Sequence, residues 1–511
     1  MTDTPWLDDA CSLVDAFRAG DRSPKEELEA TLAAIEASEL NNFSFLDPER
    51  ALAAAEHADV SKPFGGVPVG IKELDQVQGW PDTQASLVFA DRIATYTGEG
   101  VRRFTEDGGA VAVGLTTASE FGGLNVSISK LNGVAHNPWR HGRTAGGSSG
   151  GSASAVAGGL VSIASGGDGG GSIRIPAGYC GLFGMKGTYG RISRGPHAFF
   201  RPGTVVLGAL TRSVRDAARH YDVCAGVDAR DPQSLPNPGG WESGLGSHDL
   251  AGKRVAILPS IAGVTLEPGV EERIRAAAGE LIAATGMVEV DITLELPNLA
   301  AQWAFGNLST LLAELGPRWP GCAPELTDEI ALGCLLAQSL YNLHMAAVAE
   351  ARRVEANAAM AGAFDRVDYI ISSTNPGPAF AAESWTSSPS DTFLDQAKAN
   401  PAARAAFRAI MAGVRVAGGV FPRMSNALTD AVVEQVPDLV TMGGLTIISN
   451  VYGNPAASIP AGLVDGLPVG MQVLAPHHRD AELFDVALAY EREVGWPKVA
   501  PSVTGSAPVG V

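Results

Sequence analysis

Apolar residues recur every three or four positions in the first part of the chain, which is the spacing of one face of an α-helix. This pattern predicts amphipathic helices at residues 8–18, 24–37 and 51–58. The second helix follows Ser23 and contains Pro24 and Glu26, a capping-box pattern with proline in the first helical position. We therefore expect residues 1–60 to form an N-terminal helical layer against the core.

Short apolar runs alternate with helical patterns through the remainder of the chain. The runs suit buried strands at residues 110–115, 160–165, 253–258, 287–294 and 369–373, and a further strand ends at Lys72. Helical periodicity marks residues 99–107, 150–158, 270–284 and most of 298–364. Strands that alternate with helices predict an α/β fold, in which residues 253–294 form one βαβ unit.

Composition and charge exclude several classes of protein. Hydrophobic residues make up 45% and charged residues 18% of the 511 residues, which excludes a mainly disordered chain. A formal charge of -19 argues against nucleic acid or an anionic membrane as a direct partner. No apolar run reaches the ~18 residues of a membrane span, and the acidic N-terminus lacks a secretion-signal pattern. The five cysteines form no C-x-x-C pair, so we expect a cytoplasmic protein without a zinc site.

One stretch rich in glycine and serine, residues 146–181, holds two serine sites. Such a composition alone is more typical of a linker or a phosphate-binding loop. However, a helix of about nine residues after Ser148 rises ~14 Å, and a strand of about five residues returns ~16 Å. Ser172, in the loop after that strand, should therefore lie beside Ser148. The same loop offers backbone N–H groups that can converge as an oxyanion hole, at Gly169, Gly170, Gly171 and Ser172.

The order of these residues resembles the core of the amidase signature family. The matching positions are the GGSSGG segment at 146–151, Asp168, Gly170, Gly171, Ser172, Arg174, Pro176, Cys180 and Gly181. The family motif G-x-P-x-x-x-K also matches, and it ends at Lys72. The resemblance implies Ser172 as the nucleophile, Ser148 as a bridge after a cis peptide bond at Gly147, and Lys72 as the base. It also implies a large mixed, twisted β-sheet covered by helices on both faces.

The remaining polar residues of the motif have supporting roles in this interpretation. Ser149 supports Ser148, while Asp168 and Arg174 hold the loop and perform no chemistry. A lysine can act as a base only when it is neutral, and burial lowers its pKa by disfavouring the ammonium. We therefore expect Lys72 to be enclosed and hydrogen-bonded to Ser148, although an isolated lysine at a strand end is usually a solvated surface residue.

Outside the core stretch the resemblance is more diffuse. It implies that the acyl side of the site is lined by Gly122, Gly123 and Asn125, while a surface loop is an equally good interpretation for Asn125. It further implies an amidase signature domain over residues 61–511, with a variable helical region at about 298–440 that covers the substrate. Lys186 is interpreted as structural.

Two further segments carry predictions of their own. The aromatic loop at 197–202 has two interpretations: it borders the substrate, or its rings simply pack, as aromatic residues more often do. The closing motif at 447–472 is interpreted as a turn-linked pair of strands.

The sequence thus predicts a hydrolase that cleaves a carboxamide C–N bond through an acyl-enzyme. The expected partner is a small-molecule amide substrate, without nucleic acid, membrane, metal or cofactor, and a homodimer is left open. None of the nine histidines lies near the serines, which disfavours a Ser-His-Asp site. The alternatives are a carbamate, ester or hydrazide hydrolase on the same triad, a silent binding protein, or an amidotransferase A-type subunit that works in a complex. The E-A-S-S-N-L-x-R-Y-D-G segment of such subunits is missing here.

Overall fold

The computed structural model describes residues 4–197, 203–384, 410–414 and 443–504. The helices in these ranges are α1 Ala10–Ala19, α2 Pro24–Glu36, α3 Pro48–Glu56, α4 Glu99–Arg102, α5 Gly150–Ala157, α6 Arg174–Cys180, α7 Val214–Cys224, α8 Val270–Thr285, α9 Ala300–Leu315, α10 Asp328–Leu340, α11 Leu343–Phe364, α12 Ile447–Tyr452, α13 Asp480–Glu493 and α14 Pro501–Thr504. No single helix in these ranges has the length and apolar character needed to cross a membrane. The pair α10 and α11 has both only when the two are counted together, and a 101° bend separates them.

One large mixed sheet organises the chain. The strands are β1 Phe43–Leu46, β2 Pro68–Lys72, β3 Val111–Thr116, β4 Ile128–Ser129, β5 Gly133–Val134, β6 His136–Asn137, β7 Arg140–Thr144, β8 Ile163–Asp168, β9 Phe183–Lys186, β10 Val206–Thr211, β11 Arg254–Ile257, β12 Val288–Glu289, β13 Tyr369–Ser373, β14 Ala456–Val464 and β15 Leu467–Leu474. Eleven of them form the sheet, in the order β1-β3-β2-β8-β10-β9-β14-β15-β13-β11-β12. β4 with β5, and β6 with β7, form separate small sheets.

Helices cover both faces of this sheet because alternate residues of each strand point to opposite sides. On β8, Ile163 packs with residues of α1, α7, α8 and α13, whereas Ala164 packs with residues of α2, α3, α5 and α6. On β10, Ala209 and Leu210 divide between the two sides in the same way. The α/β architecture expected from the sequence is therefore confirmed.

Several local predictions are also confirmed. The N-terminus of α2 has the predicted capping box, in which Ser23 Oγ accepts from the N–H of Glu26 and the Glu26 carboxylate accepts from the N–H of Ser23. β11 and β12 pair in parallel on either side of α8, which is the predicted βαβ unit. β13 covers the predicted residues 369–373, and the region at 298–364 forms α9, α10 and α11.

Other element predictions differ from the structure. The strand expected at 160–165 begins three residues later, as β8, because the turn through Gly158 and Gly159 after α5 continues to residue 162. The helix expected at 99–107 changes after α4 to a π-helical turn. The strand expected at 287–294 is reduced to β12, which has a neighbour on one side only.

The two ends of the chain also differ from their predictions. The first part of the closing motif is the helix α12, and the predicted pair of strands, β14 and β15, follows it. Residues 1–60 contain an unpredicted strand, β1, which pairs with β3 at the edge of the sheet. Residues 198–202 of the aromatic loop lie outside the described residues.

Candidate active site

The two parallel strands β2 and β8 are neighbours in the sheet, so their carboxyl ends meet at one edge. Lys72 is the last residue of β2, and the loop after β8 contains Ser172. Ser148 lies just before α5, which packs against both strands. Lys72 and Ser148 are each 2% exposed and Ser172 is 5% exposed, so the three candidate side chains are withdrawn from bulk water.

The Lys72 amine contacts Ser148 directly. Lys72 Nζ lies 2.8 Å from Ser148 Oγ and donates to the carbonyl oxygen of Gly167 at 3.2 Å. The expectation that Lys72 is enclosed and hydrogen-bonded to Ser148 is therefore confirmed. Among the described residues, Lys72 is the hydrogen-bond partner of the Ser148 hydroxyl, and no such bond joins Ser148 Oγ to Ser172 Oγ.

The environment of Lys72 favours its neutral form. Burial lowers the pKa of Lys72 to about 8, because the ammonium loses its hydration. The carboxylates of Asp75 and Asp168 limit this fall by attracting the positive charge. A substantial fraction of Lys72 is consequently unprotonated near pH 8 and able to accept a proton.

The peptide bond between Gly147 and Ser148 is cis, as the sequence resemblance implied. Gly147 is pressed against a neighbouring loop, where an added Cβ would lie 2.6 Å from the backbone nitrogen of Val126. A larger residue at this position would therefore displace the segment that contains Ser148.

Ser149 has a different hydrogen bond from the one its position suggested. Ser149 precedes α5 directly, where a serine side chain commonly caps a helix, but it makes no capping bond. Ser127 Oγ accepts from the N–H of Gly150 at 3.0 Å instead. The Ser149 hydroxyl donates at 3.4 Å to the carbonyl of Gly167, the same carbonyl that accepts from Lys72.

The loop that contains Ser172 is anchored by a fully buried ion pair. Arg174 Nε donates to Asp168 Oδ2 and Arg174 Nη2 donates to Asp168 Oδ1, both at 2.9 Å. Burial alone would raise the pKa of the Asp168 carboxyl, but the Arg174 guanidinium holds that pKa well below its usual range. The pair thus fixes the start and end of the segment on which Ser172 lies.

The closing motif contributes side chains to this anchor, which the sequence interpretation missed. Gln472 Oε1 accepts from Arg174 Nη1 at 2.5 Å, and Asn450 Oδ1 accepts from Arg174 Nη2 at 2.6 Å. Asn450 Nδ2 also donates to Asp168 Oδ1 at 2.8 Å. Both residues lie within the closing motif at 447–472, which the sequence led us to interpret as a pair of strands only. Chain segments about 280–300 residues apart in sequence therefore meet around one guanidinium.

The glycines before Ser172 differ in what their N–H groups do. Gly171 donates to Asp168 Oδ1 at 2.7 Å, so this group is already engaged within the loop. The N–H groups of Gly169, Gly170 and Ser172 have no backbone or side-chain acceptor among the described residues. Three of the four predicted donors therefore have no protein acceptor in the described part of the chain.

Comparisons with known proteins agree with this geometry. A family model described as Amidase matches residues 26–412. The chain belongs to the amidase signature family. Membership places it among amide-hydrolysing enzymes.

Individual relatives extend the likeness to nearly the whole chain. A glutamyl-tRNA(Gln) amidotransferase subunit from Akkermansia muciniphila is 31% identical over 505 residues, which cover 93% of this chain and 97% of the relative. A bacterial aryl acylamidase is 23% identical with a TM-score of 0.83, covering 98% and 99% of the two chains. The 6-aminohexanoate cyclic dimer hydrolase is 24% identical with a TM-score of 0.80, with the same coverage. Because the sequence identities to these two solved structures are below 25%, the two structures establish only the fold.

Within this amidase fold, the variable helical region reaches the serine loop through Trp303 of α9. The indole Nε1 donates to the carbonyl of Gly169 at 3.1 Å. An added Cβ at Gly170 would lie 2.5 Å from Cζ2 of the same ring. Trp303 was not singled out from the sequence, because no local pattern on α9 distinguishes a tryptophan over the active site from one in the core.

The predicted substrate-lining residues of the amidase site lie in different surroundings. A Cβ at Gly122 would be 3.4 Å from Ser148 Oγ, so this glycine borders the Ser148 hydroxyl. Gly123 packs against Ile330 of α10, and Leu74 lies beside Gly122. Asn125 Nδ2 would lie 3.3 Å from a Cβ at residue 443, close to the segment leading into α12.

Lys186 is a second buried lysine, and its contacts agree with the structural interpretation. Its amine donates to the carbonyls of Gly187 and Asn454, at 3.1 Å and 2.5 Å. Neither of these hydrogen bonds involves a candidate serine. Across the described part of the chain, no group of three or more His, Cys, Asp or Glu side chains is placed to hold a metal ion.

Proposed function

We propose that this amidase hydrolyses a carboxamide through an acyl-enzyme on Ser172, with Ser148 as proton relay and Lys72 as base. The observation that carries the proposal is the enclosed Lys72 amine, 2.8 Å from Ser148 Oγ, at the sheet edge where the Ser172 loop begins. A buried amine with a lowered pKa is what a lysine base requires near neutral pH.

The chemistry follows from this arrangement. Neutral Lys72 takes the Ser148 proton while Ser148 takes the Ser172 proton, and Ser172 Oγ attacks the amide carbon. The N–H groups of Gly169, Gly170 and Ser172 hold the oxygen that becomes negative. Lys72 then returns the proton through Ser148 to the leaving nitrogen, the C–N bond breaks, and an ester to Ser172 remains. Water attacks this ester by the same relay and releases the carboxylic acid.

The walls around the proposed site favour an uncharged substrate. Apolar side chains lie nearest to four glycines of the site: Leu74 beside Gly122, Ile330 beside Gly123, Val205 beside Gly169 and Trp303 beside Gly170. The nearest group to Gly171 is the uncharged Thr446 hydroxyl. Burying apolar groups of a ligand against such walls is favourable, whereas an unpaired charge there would lose its hydration. We infer that the substrate is a small-molecule amide whose acyl or amine portion is apolar; carbamates, hydrazides and esters remain chemically possible on the same relay.

A fluorophosphonate probe tests the nucleophile without knowledge of the substrate. Ser172 Oγ should attack phosphorus and expel fluoride, which leaves a phosphonyl ester that peptide mass spectrometry locates. We expect one labelled peptide, containing Ser172, in the folded protein. A parallel screen covers primary amides, anilides, cyclic oligoamides, carbamates, hydrazides and esters. It should identify at least one substrate that the unlabelled protein hydrolyses and the labelled protein does not. Labelling elsewhere with Ser172 unmodified would reject the assignment.

The pH dependence follows from the lowered pKa of Lys72. Because only the neutral amine accepts a proton, kcat/KM should fall about tenfold for each pH unit below ~8 and level off above it. A pH series between 6 and 10 with a substrate from the screen measures this limb. A flat profile down to pH 6 would contradict a lysine base at this position.

An amidotransferase subunit that works in a complex is the second candidate, and the name of the Akkermansia muciniphila relative favours it. Such a subunit would hydrolyse glutamine and pass on ammonia only when its partners are present. Against it stands the missing downstream segment noted in the sequence. Glutaminase assays with and without added partner subunits distinguish the two, since hydrolysis by the isolated chain supports a free-standing amidase.

A further inference from the structure

Asp75 lies in the turn that ends β2, three residues after Lys72. The N–H of Asp75 donates to the carbonyl of Lys72 at 2.8 Å, which closes the turn. Ser165 of β8 then joins the two residues: its hydroxyl donates to Asp75 Oδ2 at 2.9 Å and accepts from the N–H of Lys72 at 2.8 Å. One serine therefore fixes a carboxyl group relative to the lysine base.

Charged and titratable groups face this carboxyl from several elements. Burial raises the pKa of Asp75, while the Lys72 amine on β2, the Ser165 hydroxyl and the Arg194 guanidinium in the loop after β9 all oppose the rise. Tyr96, in the segment before α4, also faces it, and the Asp75 charge contributes to the raised pKa of its phenol. These contacts place Asp75 within electrostatic reach of the Lys72 amine.

A second carboxylate, Asp168, also acts on Lys72. Its charge is largely offset by the bidentate Arg174 guanidinium. Lys72 Nζ makes its own hydrogen bonds to Ser148 and Gly167. Asp75 can therefore act on the amine through its field and hold the Lys72 backbone through Ser165, while the contact of the amine with Ser148 stays free.

We propose that Asp75 is a positioning residue that, through Ser165 and through its charge, stabilises Lys72 when the lysine carries the relayed proton. The inference rests on the proposed function, because it assigns Asp75 to the same relay. An enclosed ammonium is costly to form, and a nearby carboxylate lowers that cost. Asp75 itself neither gains nor loses a proton in the reaction; the proton passes only between Ser172, Ser148, Lys72 and the leaving nitrogen.

The test is the pH dependence of Ser172 labelling in Asp75→Asn. Asparagine keeps an oxygen to accept from Ser165 but removes the negative charge. In a plot of the fluorophosphonate labelling rate against pH, we expect the rising limb to move to lower pH by about one unit. The labelling rate on the high-pH plateau should fall several-fold. Asp75→Ser, which removes the charge with a smaller side chain, should move the limb in the same direction.

Asp82→Asn is the matched control. Asp82 pairs with Arg92 at 3.0 Å, and it is not one of the charges that act on Lys72. Its neutral variant should leave the limb at the wild-type pH. The inference is overturned if Asp75→Asn and Asp75→Ser keep the wild-type limb, if the limb moves upward, or if neither variant folds, since Asp75 would then be structural.

Lys72→Met separates this inference from the proposed function. If that variant labels and turns over substrate as the wild type does, the relay itself is wrong, whatever Asp75 does. If it is inactive while the limb of Asp75→Asn is unmoved, only the role of Asp75 is rejected.

Discussion

Replacing Ser172 by alanine, or Lys72 by methionine, is expected to lower kcat by about 10⁴-fold on every substrate that the wild type hydrolyses. Ser172→Ala removes the atom that attacks the carbonyl, and Lys72→Met removes the group that accepts its proton. The effect should appear in kcat rather than KM, because neither side chain is needed to bind an apolar amide. Steady-state kinetics measure the effect in both variants, and the rate of fluorophosphonate labelling of Ser172 measures it in Lys72→Met.

Matched substitutions show whether the loss is specific. Ser61 is exposed, and the Lys130 side chain is 39% exposed, so Ser61→Ala and Lys130→Met should keep wild-type activity. Methionine fills much of the space of the Lys72 side chain, so Lys72→Met should unfold at a temperature close to that of the wild type. Activity retained by Ser172→Ala or by Lys72→Met would refute the role assigned to that residue.

Replacing Arg174 by methionine is expected to cost ~3–5 kcal/mol in the free energy of unfolding. The loss arises because Asp168 would keep its buried carboxylate without the bidentate partner, and because Asn450 and Gln472 would lose their donors. Urea or thermal unfolding near pH 8 measures the change. Activity should fall as well, since the loop that presents Ser172 loses its anchor.

The pH dependence of this destabilisation identifies its cause. In the wild type, the folded-state pKa of Asp168 is depressed, so the stability it contributes is present above its unfolded pKa and is lost as pH falls. In Arg174→Met the folded-state pKa of Asp168 should rise above the unfolded value. Protonation of Asp168 at lower pH would then remove the unpaired buried charge that destabilises the variant. The difference in the free energy of unfolding between the wild type and Arg174→Met should therefore become smaller as the pH falls from 8 to 5. Arg275→Met, which breaks an exposed pair with Glu271, should leave the unfolding midpoint unchanged; an equal loss there would exclude the buried-pair explanation.

The site residues that the sequence marked are those whose spacing reflects a chemical requirement. Ser148 and Ser172 lie on either side of a short helix and strand, and the lengths of these elements alone bring them to the same edge of the sheet. Asp168 and Arg174 were assigned to the loop because they match the family motif around the glycines. Local geometry was sufficient for the placement of the two serines, whereas the roles of Asp168 and Arg174 came from the resemblance.

The side chains that were missed reach the site from distant segments. Asn450, Gln472 and Trp303 contact the Asp168–Arg174 pair or the glycine loop only because α9, α12 and β15 pack there. The hydrogen bond of Gly171 to Asp168 was also unforeseen, since it depends on how the loop turns after β8. A one-dimensional pattern does not encode such contacts.

By itself, the sequence determined the family, the α/β architecture, most helices and strands, and the pair of serines with their lysine, because each depends on periodicity or on short, ordered motifs. The enclosure of Lys72 was also expected from the motif, but the tertiary structure alone decided which charges surround this lysine. Enclosure of Lys72 lowers its pKa to about 8, and Asp75 and Asp168 limit the fall. The placement of charges around a buried group depends on neighbours that are packed together in three dimensions, and that is why only the folded chain reveals it.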